Sequence, residues 1–191
     1  MRRGEVLFDR NGHRKYLNVP ERKAFFDAVC AYMEAPPKAF CLMLYYTGCR
    51  ISEALELTIE QIDFSEQAVV FRTLKRRGDH FRIVPIPSSL VLLLQEVIEG
   101  REESTTRLWP FCRNTGHRMV KHCMNMASLT GIKACPKGLR HAFAVACITN
   151  GVPVTTLQRW MGHARLETTS IYLDMIGEED RKQAEKIWNE T

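Results

Sequence analysis

Apolar positions recur at helical spacing behind Pro20, where Ala24, Phe25, Ala28, Val29 and Tyr32 share one face. That period predicts an amphipathic helix to about Met33. Proline at its start costs little, because a first-turn N–H has no partner within the helix. Pro36 and Pro37 interrupt the pattern and open a second, more apolar helix to about Tyr46, with Gly48 placed to end it. Residues 52–57 read as a short third helix. The period then changes. Gln61-Ile62-Asp63-Phe64, Ala68-Val69-Val70-Phe71-Arg72 and Phe81-Arg82-Ile83-Val84-Pro85-Ile86 are extended runs separated by polar turns. They predict a three-stranded antiparallel sheet, with Pro85 at an edge or a strand end. Helical spacing returns after Ser88 or Ser89, either of which can cap a helix to about Glu99. A loop through Trp109-Pro110 follows, then helices over about 118–129, 136–150, 154–161, 166–173 and 178–188, with Gly131 and Gly151 where helices stop. Residues 1–19 are polar and end in a short extended entry, Tyr16-Leu17-Asn18-Val19. The fold class is therefore α+β and mostly helical, with helices on either side of a small sheet and no internal repeat.

Composition narrows this only slightly. At 191 residues the chain suits one domain, or one with a small appendage. A formal net charge of +5 permits a polyanionic partner without requiring one. The placement of charge says more. Lys75, Arg76 and Arg77 gather at a polar turn, and Arg113, Arg118, Lys121 and His122 crowd another segment. The seven cysteines are odd in number and lack Cys-x-x-Cys spacing, which reads as reduced thiols in a cytosolic protein rather than a disulfide framework. Met1-Arg2-Arg3 is followed by Gly4-Glu5, not by the apolar run of a signal peptide. The longest apolar stretch, residues 40–46, is too short to span a membrane.

Several residues are candidates for chemistry. Arg50 and Arg140 sit among apolar neighbours, in Cys49-Arg50-Ile51 and Leu139-Arg140-His141. An arginine drawn inward needs an anion, and its planar guanidinium can grip two phosphate oxygens; a surface ion pair is the plainer alternative for each. Glu53 follows Arg50 by three positions and is either a supporting partner or half of a surface pair. His163 follows Gly162 at a helix end, where a capping histidine is the plain reading. Tyr172 is a nucleophile or a packing residue. A tyrosine with its ordinary pKa near ~10 attacks poorly at neutral pH unless it is held in line and relieved of its proton. His141 directly follows Arg140, on a different helix face, and reads as a packing or capping residue. No glycine-rich phosphate loop or His-Glu-x-x-His occurs, and His117, His122, Cys112 and Cys123 do not have zinc-finger spacing.

Taken together, Thr47-Gly48-Cys49-Arg50-Ile51-Ser52-Glu53-Ala54-Leu55, Gly138-Leu139-Arg140-His141-Ala142-Phe143, Trp160-Met161-Gly162-His163 and Thr168-Thr169-Ser170-Ile171-Tyr172 resemble the tyrosine recombinase, or phage integrase, family. The Gly-His-x-x-x-x-Thr-Thr-x-x-Tyr spacing carries most of the likeness. The resemblance implies an integrase-like catalytic domain, with Arg50 and Arg140 as its two arginines and His163 hydrogen-bonded to the scissile phosphate. Tyr172 would be the nucleophile and Glu53 a supporting acid. It also implies a general acid at Lys75, followed by an Arg-x-Val-Pro-like strand ending, here Arg82-Ile83-Val84-Pro85. One position departs: most members have His-x-x-Arg, whereas this chain has Lys137-Gly138-Leu139-Arg140. Lysine occurs there in some tyrosine recombinases and in the similar type IB topoisomerases, so Lys137 takes the place of the histidine.

The expected organisation is an N-terminal extension over 1–16, the catalytic domain over 17–176 and a helical tail over 177–191. The family's usual DNA-clamping domain has no counterpart in the sixteen residues at the front, so the chain reads either as a catalytic fragment or as a short recombinase. The implied activity is site-specific strand exchange through a 3′-phosphotyrosyl link, without metal or other cofactor. The implied partners are double-stranded DNA, further protomers assembled on it and accessory DNA-bending proteins. The implied location is the cytoplasm, at the nucleoid. Arg76, Arg77, Arg118 and Lys121 are the candidate DNA contacts beyond the site. Three alternatives stay open: a type IB topoisomerase-like enzyme, a telomere-resolving strand transferase, and a catalytically silent DNA-binding regulator.

Overall fold

Asn18 starts the first helix, α1 (Val19–Tyr32), in a computed structural model that describes residues 7–72, 80–101 and 107–173, with Glu185 and Trp188. Its side-chain oxygen accepts from the Glu21 N–H at 2.9 Å, and the Glu21 carboxylate accepts from the Asn18 N–H at 2.9 Å. Such reciprocal capping is worth about 0.5–2 kcal/mol. The central helix is α2 (Ala35–Thr47), whose Phe40, Cys41, Met43 and Leu44 are buried. It ends where Gly48, at φ 59°, donates its N–H to the Leu44 carbonyl. No other residue fits there. The left-handed backbone disfavours a side chain, and a Cβ would lie 2.3 Å from the Phe143 ring. The chain can therefore turn from α2 directly into Arg50 while a later helix presses on the turn.

Arg50 precedes the short α3 (Ile51–Leu55). The sheet follows, with β1 (Ile62–Asp63), β2 (Ala68–Arg72) and β3 (Phe81–Pro85) in the order β1-β2-β3, antiparallel throughout. Val69 pairs with Val84 and Phe71 with Arg82. Along β3, Arg82 and Val84 point inward while Phe81, Ile83 and Pro85 face outward, the alternation of a strand with one covered face. Then come α4 (Ser88–Ile98), α5 (Arg113–Met126), α6 (Pro136–Thr149), α7 (Val154–Met161) and α8 (Glu167–Ser170). Helices α1, α4, α5 and α6 pack around α2. Trp109 donates its indole N–H to the Ala54 carbonyl at 2.6 Å and meets Phe40 edge-on, tying α3 to the core. Gly138 lets the first turn of α6 lie against the preceding loop, where a Cβ would sit 1.9 Å from the Lys133 carbonyl oxygen.

The mostly helical α+β class, the antiparallel sheet and the edge position of Pro85 agree with the sequence reading. Several boundaries do not. The first strand is only two residues long, because Ile59–Gln61 wind into a 3-10 turn held by the Gln61 side chain, which accepts from the Thr58 N–H and donates to the Val70 carbonyl. Neither Ser88 nor Ser89 caps α4; Pro87 holds the cap position, and the Ser88 hydroxyl bonds the Gln67 side chain. Helix α5 begins at Arg113, ahead of the expected start. Its polar first turn hides the apolar period, and Gly116 is buried beneath Phe40. The helix expected over 166–173 is confined to Glu167–Ser170. The polar stretch before α1 carries three core residues, Leu7, Tyr16 and Leu17, around a hairpin in which the Lys15 N–H donates to the Leu7 carbonyl. The expected tail over 177–191 lies outside the described residues except for Glu185 and Trp188, both exposed.

Candidate active site

Arg50 is held by its own local structure. Its backbone N–H donates to Glu53 Oε2 and its Nη1 to Glu53 Oε1, both at 2.8 Å. Glu53 is buried, and its Oε2 also accepts from Arg82 Nη2 at 2.7 Å. Arg82 is buried in turn: it donates Nε–H to the Trp160 carbonyl at 2.8 Å and lies over the Phe71 ring. One carboxylate thus locks Arg50 to β3 and to the end of α7. Burial pushes the Glu53 pKa up, but Arg82, the Arg50 N–H and the Arg50 guanidinium outweigh it and hold the carboxyl below its ordinary 4.5. Glu53→Ala is expected to lower stability by about 3–5 kcal/mol, the usual cost of removing one partner from a buried ion pair. Because the folded-state pKa is depressed, this contribution is full above the unfolded-state pKa and is lost as pH falls through the folded value. Denaturant unfolding of wild type and variant should therefore differ most at neutral pH and converge in acid; a gap independent of pH would mean that the loss is one of packing.

Arg140 projects from α6. Nη1 donates to the Gly48 carbonyl at 2.6 Å and Nη2 to the Met161 carbonyl at 2.7 Å, while Nη2 also lies 3.1 Å from His163 Nε2. An arginine only donates, so His163 Nε2 is the acceptor. Its Nδ1 then carries the proton and donates to Thr169 Oγ1 at 2.9 Å. Burial, then the charges of Arg140 and Arg50, pull the His163 pKa down to about 3, and the ring is neutral at pH 7. Burial first, and the nearby Arg50 second, lower Arg140 to about 10. Two inward guanidiniums that repel each other across a cavity make a site for an anion.

Tyr172 lies just beyond α8 and is only 2% exposed. Burial raises its pKa to about 12 against the opposing pull of Arg140 and Arg50. Its hydroxyl is 2.8 Å from His141 Nδ1. His141 is therefore neither a helix cap nor mere packing. Counted by turns of α6 it shares a face with Lys137, four positions earlier, rather than with Arg140. Lys137 itself is exposed at the mouth of the cavity.

These groups meet at a cavity of about 490 Å³ lined by Arg50, Lys137, Arg140, His141, His163 and Tyr172, with Arg113 and His117 from α5. Five of the six residues expected to be catalytic are thus brought together. The sixth, Lys75, lies with Arg76 and Arg77 outside the described residues. Glu53 backs the cavity through Arg50. Arg118 and Lys121 do not line it. They sit further along α5, where Arg118 is exposed and bonds Thr115, and the face turned to the cavity is that of Arg113 and His117. Sequence reasoning missed Arg82, His141 and His117. The four-residue interval from Lys137 to His141 was the available signal for His141.

The phage integrase family model matches residues 15–178. A tyrosine recombinase XerA from Thermococcus onnurineus is 30% identical over 162 residues, which cover 76% of this chain and 53% of that protein. A tyrosine recombinase XerD from Haemophilus ducreyi is 31% identical over 152 residues, covering 73% and 50%. The crystal structure of a XerA recombinase superposes with a TM-score of 0.73 at 26% identity, over 90% of this chain and 64% of that one. A XerH recombinase bound to its difH substrate superposes with a TM-score of 0.72 at 23% identity, over 95% and 59%, a likeness of fold. The chain spans about half the length of the curated relatives it matches.

Proposed function

Because the chain belongs to the phage integrase family, we propose that it is the catalytic domain of a site-specific tyrosine recombinase acting on double-stranded DNA. The observation that carries this reading is the convergence of Arg50, Lys137, Arg140, His163 and Tyr172 on one cavity. In the proposed reaction Tyr172 attacks a phosphodiester, forms a 3′-phosphotyrosyl link and releases a 5′ hydroxyl. The 5′ hydroxyl of a partner strand then reverses the link. The link conserves the bond energy, so this chemistry calls for no cofactor.

Arg50 and Arg140 grip the non-bridging oxygens, on which charge grows in the transition state, and their preplacement favours that state over the ground state. The scissile phosphate cancels part of their charge and eases protonation of His163, which can then donate to a phosphate oxygen. Lys137, at the cavity mouth, supplies charge and an N–H where the family's histidine would stand. Lys75 is the proposed acid for the 5′ oxygen. Arg113 and His117 flank the scissile phosphate, and Arg76, Arg77, Arg118 and Lys121 extend the phosphate contacts along the duplex. Further protomers on the same DNA and accessory DNA-bending proteins complete the proposed assembly, with residues 177–191 joining neighbours. Among the described residues no helix is long and apolar enough to cross a membrane, and the proposed site of action is the nucleoid.

The test is incubation with nicked suicide substrates, in which the released strand escapes and a covalent protein–DNA band accumulates. Wild type is expected to give that band, and intact substrates are expected to give recombinants rather than relaxed circles. Lys137→Ala should lose most of the band, about a hundredfold in rate, while Lys137→His should keep measurable cleavage. Normal cleavage by the alanine variant would make Lys137 a bystander. No band with any DNA would overturn the recombinase reading.

A further inference from the structure

Among the described residues the Tyr172 hydroxyl has one hydrogen-bond partner, and that partner is His141 rather than either arginine. Both side chains are buried, at 2% and 7% exposure. The other ring nitrogen, His141 Nε2, is buried with no hydrogen-bond partner. Leaving a buried polar atom unsatisfied is costly, and such atoms in native proteins call for an explanation. We propose that His141 is the base that takes the proton of Tyr172 during strand cleavage. This assignment rests on the recombinase function proposed above.

The tautomer follows from relative acidity. A phenolic O–H is the better donor and an imidazole nitrogen the better acceptor, so Tyr172 donates to a bare Nδ1 and the ring carries its proton on Nε2. In the cleavage step the Tyr172 oxygen forms a bond to phosphorus. Its O–H bond breaks, the bonding pair stays on the oxygen, and the proton passes to His141 Nδ1. The bond from phosphorus to the 5′ oxygen breaks, and that oxygen keeps the pair and takes a proton from the proposed acid, Lys75. In the joining step a 5′ hydroxyl oxygen forms the bond to phosphorus and passes its proton back to the now neutral Lys75. The bond from phosphorus to the Tyr172 oxygen breaks, that oxygen keeps the pair, and His141 returns its proton to it.

The surroundings keep Nδ1 bare until DNA arrives. The charged or titratable groups facing His141 are Lys137 and Arg140 on its own helix, Lys15 from the N-terminal hairpin, and Tyr172 and His163 from the segment after α7. Burial first, and then Lys137, Arg140 and Lys15, hold its pKa near about 4. At neutral pH the ring is thus unprotonated and able to accept. A phosphodiester seated in the cavity sets a negative charge against those cations, which raises the proton affinity of His141 when the phenol must lose its proton.

His141→Asn tests this. Asparagine keeps a hydrogen-bond acceptor for the Tyr172 hydroxyl but cannot take up a proton. Single-turnover cleavage of a saturating suicide substrate is expected to slow by about a hundredfold or more, with DNA affinity near that of wild type. The wild-type rate should level off above the pKa of DNA-bound His141. The variant rate should keep climbing, about tenfold per pH unit, because hydroxide must then remove the proton. A substrate with sulfur in place of the bridging 5′ oxygen has a leaving group that needs no acid. It should rescue a Lys75 variant and leave His141→Asn slow. Cleavage by the asparagine variant at the wild-type rate with an unchanged pH profile, or its rescue by the sulfur substrate, would overturn the assignment. Should the variant fold poorly, ¹⁵N NMR of the wild-type ring decides. The Nε2–H tautomer is expected, and an Nδ1–H tautomer would reverse the hydrogen bond and sink the proposal. A Tyr172-dependent covalent band from wild type tests the recombinase reading by itself, so the two ideas fail separately.

Discussion

Tyr172→Phe is expected to abolish the covalent protein–DNA adduct and leave DNA affinity within about threefold of wild type, since affinity rests on many phosphate contacts. Only the attacking oxygen is lost. The ring still fills its buried place beside Ile171. Stability should nonetheless fall slightly, because the hydroxyl is the partner of His141 Nδ1, and without it both ring nitrogens of a buried histidine go unsatisfied. That costs about 1–3 kcal/mol, or a few degrees of melting temperature for a chain of this size. The measurement is denaturing electrophoresis of suicide-substrate reactions alongside thermal unfolding and a DNA-binding titration. An adduct of undiminished yield would remove Tyr172 from the mechanism. A large loss of affinity would show that the hydroxyl contacts DNA before cleavage.

The residues that converge on the cavity were legible in the sequence because their motifs are short and local. Gly48 ends α2 and puts Arg50 at the start of α3; Gly162 ends α7 and puts His163 in its turn. Each glycine has a positive φ, 59° and 63°, so the motif spells a backbone turn as well as a side chain. Long-range partners were not legible. Arg82 lies 29 positions from Glu53; the sequence shows it as the start of an Arg-x-Val-Pro-like strand ending but not as the partner of a buried carboxylate. In the sequence His141 reads only as a packing or capping residue on a different helix face from Arg140, because its partner, Tyr172, lies 31 positions away; the face it shares is that of Lys137, four positions earlier. Basic residues on α5 were legible as a cluster but not as two faces, and the cavity turned out to face Arg113 and His117 rather than Arg118. The N-terminal hairpin escaped because three apolar residues, Leu7, Tyr16 and Leu17, are too few to make a period, yet all are core.

Arg140→Ala is expected to slow single-turnover cleavage by about a hundredfold or more, the usual loss when one preorganised donor to a developing oxyanion is removed. The geometry explains why so much should depend on one side chain. Of the five N–H groups on a guanidinium, three are committed: to the Gly48 carbonyl, the Met161 carbonyl and His163 Nε2. Those bonds fix the plane of the group between the end of α2 and the end of α7, where it lines the cavity. Binding should weaken by less than about tenfold, because many other phosphate contacts share that load. Arg140→Lys separates charge from geometry. An ammonium keeps the charge but cannot serve both carbonyls and a phosphate from one plane, so its rate should stay close to that of the alanine variant while its affinity recovers. The alanine variant also frees two carbonyls at helix ends, so thermal unfolding must accompany the kinetics. Equal losses in rate and affinity, with lysine restoring both, would make Arg140 an anchor for the DNA backbone rather than a ligand of the transition state.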